Sequence, residues 1–486
     1  MSTTGTAVTA PVERTASASR HRRLVPKPGT WPYLLLGLVF LALYAAMEIS
    51  RYLHYTSMSW DTAIFVQEVR DYAEFKAPIV HVKGAGYNIL GDHFSPVLAV
   101  LAPFYKVFPS PLTLLLAQSV LFASSVTIVS ATAARLLTRA KGHAIGVAYG
   151  LSWGVQRAVD FDFHEIAFAV PLLAVVLRNV LLRRWYRATF WALPLVLVKE
   201  DMGLTVAAIG LLLILSRQWS LGALLIAFGA GMVLLTVGGV IPHFNAHHTY
   251  DYWSKLPGGS VSAMPLLSSL KGLLSPLSVK LATLGWLFGI TGFMALRSPL
   301  VVVALPTLGW RFLSDNHDYW GTAWHYNAVL MPVLFLALVD ALRRGEKSRL
   351  GWYRSYTQSA AVPLVTGVAL ALCVALPGLP IRSVFQPSSY RDTARSAMLD
   401  RALAGIPSGA AVESNVTPMA HLASRTDLYW LGGDHSAPDY VALDLSYGWS
   451  PAAPTDLPGY AQRLHPGTTY QVVFQEDQFV ILRHVS

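Results

Sequence analysis

The feature that most constrains this chain is the recurrence of apolar runs of roughly 18 to 25 residues, the length a helix needs to cross a bilayer. They begin at Trp31 to Ile49 and return as late as Val362 to Leu376. A backbone inside hydrocarbon satisfies its polar groups only within a helix or a closed barrel, so uninterrupted apolar runs predict spanning helices. Only 13% of the residues are charged, about half the share of a soluble domain. The expected fold class is a polytopic α-helical membrane protein.

The net charge of +10 does not point to nucleic acid. Lys and Arg gather in short loops between apolar runs: Arg20 to Lys27, Arg135 to Lys141, Arg183 to Arg187 and Arg343 to Arg354. That is the positive-inside pattern, so the basicity reports topology and contact with anionic membrane lipids. The one cysteine, Cys373, lies in an apolar run, which excludes a disulfide framework and a thiolate metal site.

Charge bias predicts about 11 crossings, with a disordered basic cytoplasmic tail over 1–30 and a transmembrane domain over 31–379. Its outer loops fall at 51–94, 160–165, 243–275 and 314–325. The run from Trp191 to Ser216 is interrupted by Lys199-Glu200-Asp201 and reads as two short helices with the charges at an outward tip. Every histidine except His21 and His143 falls on the predicted outer side. From 380 to 486 the composition becomes that of a small extracytoplasmic α/β domain. Helices are expected at Asp392 to Ala404 and Pro418 to Ser424, and strands at Ala410 to Glu413, Asp427 to Leu431 and Tyr440 to Leu445. Gln471 to Phe474 and Phe479 to Arg483 read as a hairpin.

Five polar clusters stand out on that side. Asp61 opens a segment, Ser59 to Tyr72, whose apolar residues recur at helical spacing, as in an amphipathic helix at the membrane interface. An Asp there also suits a plain helix cap. Asp92 and His93 precede the next apolar run, where an unpartnered pair is costly. Asp160, Asp162, His164 and Glu165 alternate with Phe161 and Phe163. If extended, Asp160, Asp162 and His164 share one side, a geometry compatible with a sugar or a divalent cation (Mg or Mn). Lys199, Glu200 and Asp201 sit where charge is expensive: either they pair internally, or Lys199 serves the phosphate of an anionic lipid-linked substrate. His325 and Tyr326 follow an aromatic stretch, Tyr319, Trp320 and Trp324, that suits an interfacial belt.

The blocks Asp61-Thr62-Ala63-Ile64-Phe65-Val66-Gln67, Gly91-Asp92-His93-Phe94-Ser95-Pro96, Asp162-Phe163-His164-Glu165, Val198-Lys199-Glu200-Asp201 and His325-Tyr326 occur in that order. Together they resemble an uncharacterised bacterial family of predicted integral membrane proteins (domain of unknown function 2079), which brings no established activity. At greater distance the architecture looks like the GT-C superfamily of glycosyltransferases, which use polyprenyl-phosphate-linked sugars at the outer membrane face. That resemblance implies transfer from a polyprenyl-phosphate sugar to a cell-envelope glycan, lipid or protein at the bacterial cytoplasmic membrane, with no certain cofactor and no nucleic acid partner. By position Asp61 would be the catalytic acidic residue after the first span. Lys199, with His93 and His325, would meet the donor phosphate. Asp92, Asp162, His164, Glu165, Glu200, Asp201 and Tyr326 would bind sugar or acceptor. Many GT-C enzymes carry paired acids after the first span; here Trp60-Asp61-Thr62 offers one, and Glu68, Asp92, Asp160 or Asp162 would have to supply the second. Two other classes fit the same residues: a transporter or flippase of lipid-linked or small anionic substrates, and a non-catalytic envelope scaffold or sensor.

Overall fold

The computed structural model describes residues 1–2, 29–256, 272–375, 378–449 and 452–485. Most of the basic tail and the middle of the 243–275 loop lie outside the described residues. Among the described residues, five helices are long and apolar enough to cross a membrane: α1 (Trp31–Leu53), Pro111–Leu136, Trp219–Phe244, His325–Gly345 and Gly351–Cys373. The other runs expected to cross are shorter or broken. Pro299 and Pro306 interrupt one pair. The run after Arg139 stops at Gly150 and restarts at Trp153. Met202–Leu215 begins directly after the Lys199-Glu200-Asp201 triplet, as the short-run reading expected. That helix packs backbone to backbone against Trp219–Leu235, where a Cβ on Gly210 would lie 2.6 Å from the Gly222 carbonyl oxygen. Small residues at the crossing permit that approach.

The His325–Gly345 helix is the centre of the bundle. Every residue from Leu330 to Leu342 is buried, as expected for a helix apolar on all sides. It therefore holds His325 and Tyr326, in its first turn, at a fixed depth. Arg311, fully buried, braces the approach to that turn: it donates to the Tyr319 and Gly321 carbonyls at 2.7 and 2.8 Å and to Asn327 Oδ1 at 2.9 Å.

The C-terminal region forms a five-stranded sheet in the order β2-β1-β3-β5-β4. Its strands are β1 (Ala411–Ser414), β2 (Asp427–Trp430), β3 (Tyr440–Asp444), β4 (Thr469–Glu476) and β5 (Phe479–Val485). β1 runs parallel to β2 and β3, and β5 antiparallel to β3 and β4. The hairpin turns on Asp477 and Gln478, both at positive φ, the geometry that matches strand twist in a two-residue loop.

One element differs from its expected environment. The helix α2 (Trp60–Ala73) is enclosed by protein: Thr62 to Val69 are all buried. Its Ala63, Ile64, Phe65, Val66 and Val69 share a core with Met398, Val412, Met419 and Leu428 of the C-terminal domain. Gln67 locks that joint, donating to the Leu428 carbonyl at 2.9 Å and accepting from the Val82 amide at 3.1 Å. Helical periodicity reports one apolar face; the C-terminal domain covers the other.

Candidate functional site

Ser59 takes a left-handed conformation, φ 64°, and aims the first turn of α2. Asp162 holds that turn, accepting from the Thr62 amide at 3.1 Å and from the Thr62 hydroxyl. Asp61 is thereby presented, half-buried, to a cavity of ≈ 390 Å³. Its carboxylate has no hydrogen-bond or ion-pair partner among the described residues. Burial, with the Asp162 and Glu165 carboxylates nearby, pushes its pKa up to about 7.

The same cavity is lined by His93, His164, Lys199, Glu200, Asp201, His325 and Tyr326. Lys199 does not pair with its sequence neighbours. Its Nζ lies 2.9 Å from Oε1 of Glu165, a fully buried residue whose other oxygen contacts His164 Nδ1. The His164 ring stacks on His325 with centroids 3.7 Å apart. On the other wall His93 Nδ1 donates to Glu200 Oε1 at 2.8 Å, and its Nε2 lies 2.7 Å from the Tyr252 hydroxyl. Tyr250 donates to the same Glu200 oxygen at 3.0 Å. Asp201 Oδ1 and His325 Nδ1 are buried without a hydrogen-bond partner among the described residues. Buried polar atoms are seldom left unpaired, and both residues line the cavity. The lining also includes Leu204, Val233, Val237, Leu256 and Leu313, so charged and apolar side chains face one space.

A second groove, ≈ 490 Å³, lies between α2, the 316–326 segment and the C-terminal domain. Asp61, Tyr319 and Tyr326 line both spaces, and Trp60, Trp324 and Trp430 line the groove. A larger cavity of ≈ 850 Å³ at the far end of the bundle is lined by Arg183, Arg217, Arg343, Arg344 and Lys347. It is made of the basic loops and holds none of the expected site residues.

The chain from residue 51 to 481 matches the family described as "Predicted membrane protein (DUF2079)". The chain belongs to this family. No curated protein matches it. Among solved structures, this DUF2079 protein is similar to ArnT from Cupriavidus metallidurans bound to undecaprenyl phosphate, with a TM-score of 0.57 at 12% identity, covering 94% of this chain and 99% of that one. The apo form of the same ArnT gives a TM-score of 0.52 at 12% identity, covering 92% and 98%. At 12% identity the likeness is one of fold.

Four expected site residues stand outside the cavity lining of the DUF2079 chain. Asp92 pairs with Lys83 at 3.0 Å. Glu165 lies behind Lys199. Asp160 pairs with Arg51 and, at 3.6 Å, with Arg157, and Asp162 is spent on Thr62. Asp160, Asp162 and His164 are not gathered closely enough to hold a divalent ion: Asp160 lies in the last turn of the helix Trp153–Phe161, and Asp162, just past its end, is extended. Sequence reading missed Tyr250, Tyr252, Tyr319 and Lys255 as lining groups; the aromatic density of Tyr250-Asp251-Tyr252-Trp253 was the available signal.

Gly91 sets the position of His93. A Cβ there would lie 2.6 Å from the Phe244 carbonyl carbon and oxygen, backbone atoms that cannot swing aside. Gly91→Ala is expected to cost about 1–3 kcal/mol through overpacking. Thermal unfolding checks this, with Gly309→Ala, which meets nothing within 4 Å, as the control.

Proposed function

We propose that this protein is a GT-C-type membrane glycosyltransferase. It moves a sugar from a polyprenyl-phosphate donor to a cell-envelope acceptor at the outer face of the cytoplasmic membrane, with the N-terminus cytoplasmic and the C-terminal domain extracytoplasmic. The observation that carries the reading is that one carboxylate, Asp61, unpartnered among the described residues, lines both a cavity with charged and apolar walls and a tryptophan-walled groove. A lipid-linked donor fits the first and a hydroxyl-bearing acceptor the second. The fold shared with ArnT, whose structure holds undecaprenyl phosphate, supports the donor class.

In this mechanism Asp61 takes the proton from the acceptor hydroxyl as that oxygen bonds to the anomeric carbon. The bond from the anomeric carbon to the phosphate oxygen breaks, its electron pair leaving with the polyprenyl phosphate. Lys199, held by Glu165, and His93, held by Glu200, face the charge that gathers on that phosphate. In a partly dehydrated site one fixed cation is worth far more than in water. Asp201, His164, His325 and Tyr326 remain to engage sugar hydroxyls.

The test is reconstitution with a polyprenyl-phosphate sugar and an envelope extract as acceptor. New glycosidic product with release of polyprenyl phosphate is expected; translocation of the lipid without bond formation would make the protein a transporter. The pH dependence carries a sign. A base with a pKa of about 7 is protonated and inactive below that value. kcat/KM is expected to fall about tenfold per unit below pH 7 and to level off above it. A flat profile between pH 5 and 8 contradicts Asp61 as the base.

A further inference from the structure

The C-terminal domain holds a second cluster of buried titratable groups that sugar transfer does not use. Side chains alternate along β1, so while Val412 faces the core shared with α2, Glu413 faces the opposite side of the sheet. Glu413 is fully buried there. His435, from the β2–β3 connection, places Nε2 3.5 Å from its Oε1, and His465, just after the Leu457–Leu464 helix, places Nε2 3.0 Å from its Oε2. The three donor atoms lie within 4.8 Å of one another, and among the described residues no other His, Cys, Asp and Glu side chains form such a group.

The protonation pattern is informative. His435 Nδ1 lies 2.7 Å from the Ser436 carbonyl oxygen. A carbonyl only accepts, so Nδ1 carries the proton and Nε2 of the neutral ring offers a lone pair. Among the described residues that Nε2 is buried with no hydrogen-bond partner, and it lies 3.5 Å from a carboxylate oxygen. Two lone pairs so placed repel unless a cation lies between them. Two imidazolium rings, or one metal ion, satisfy the arrangement.

We propose that Glu413, His435 and His465 bind a divalent transition metal, zinc foremost, that staples the β2–β3 connection and the end of the Leu457–Leu464 helix to β1. Ligands at zinc distances on a tetrahedron lie about 3.3 Å apart, and each imidazole Nε2 lies near that distance from a Glu413 oxygen, His435 at 3.5 Å from Oε1 and His465 at 3.0 Å from Oε2. Two imidazoles with one carboxylate favour zinc over magnesium or calcium, which take oxygen ligands. The Nδ1 bond to Ser436 is the outer contact that ligating histidines usually make. Tyr429, stacked on His435 at 4.3 Å, holds the ring. The site does not depend on the proposed transfer activity. Its structural reach includes the groove, because Trp430 ends β2 immediately before the stapled connection.

The full-length protein in detergent, stripped with a chelator, is titrated with Zn²⁺ and separately with Co²⁺. One tightly held Zn²⁺ per chain, Co²⁺ absorption bands of a tetrahedral site and a melting temperature raised by Zn²⁺ are expected. Glu413→Gln and His435→Ala are expected to lose the stoichiometric binding and the thermal response together. Should Glu413→Gln fail to fold, His435→Ala, on a partly exposed connection, decides. Absence of stoichiometric metal on the wild-type chain, or its retention in His435→Ala, overturns the proposal and leaves an imidazolium–carboxylate cluster.

Discussion

Asp61→Asn is expected to lower sugar transfer by about 10²- to 10⁴-fold, the range a general base contributes. The melting temperature should stay level or rise. The two effects separate because the Asp61 carboxylate has no partner to lose among the described residues, and a neutral amide of the same shape removes an unpaired charge from a half-buried position. The Thr62–Asp162 bonds that aim the turn are untouched by the change. Activity is measured as acceptor-dependent release of polyprenyl phosphate, and folding by thermal unfolding of the same preparation. A folded Asp61→Asn protein with wild-type transfer would remove Asp61 from the chemistry.

Lys199→Met is expected to lower kcat by about 10²- to 10³-fold, the cost of losing one positioned group from a site that stabilises developing charge. It also strands Glu165, which is fully buried and, among the described residues, keeps only His164 as a partner. Removing one member of a buried pair typically destabilises by about 3–5 kcal/mol, so the single variant alone is ambiguous. Lys199→Met with Glu165→Gln resolves it: the neutral pair should recover stability without recovering activity. Lys199→Arg, which keeps the charge, should retain more turnover than either. Full recovery of activity in the neutral pair would mean that the ion pair serves folding alone.

Much of the C-terminal domain was legible because its elements are short and each pattern is complete locally. Strands expected at Asp427 to Leu431 and Tyr440 to Leu445 occur at Asp427–Trp430 and Tyr440–Asp444. The membrane part was legible as a set of apolar runs, and less so as crossings. Pro, Gly and charge break several runs into helices too short to span alone, and hydropathy by itself cannot say how such pieces pair. Lys199 shows the limit at the level of one residue. Its neighbours Glu200 and Asp201 were the visible partners, yet successive side chains at a helix start point in different directions. The carboxylate that meets Lys199 comes from Glu165, across the bundle.

By itself the sequence determined the class of medium, the family, and which polar residues are too costly to keep near a membrane without a use. Those properties follow from composition and local order, which every copy of the chain carries whatever its fold. The tertiary structure decided the rest. It drew Asp61, His93, His164, Lys199 and His325 to one cavity, buried α2 under the C-terminal domain, and assigned Asp160 and Asp162 to Arg51 and Thr62. It also brought Glu413, His435 and His465 together from three elements. Such contacts depend on how helices and strands pack. Packing is set by shape and burial summed over many residues, so no short motif records it.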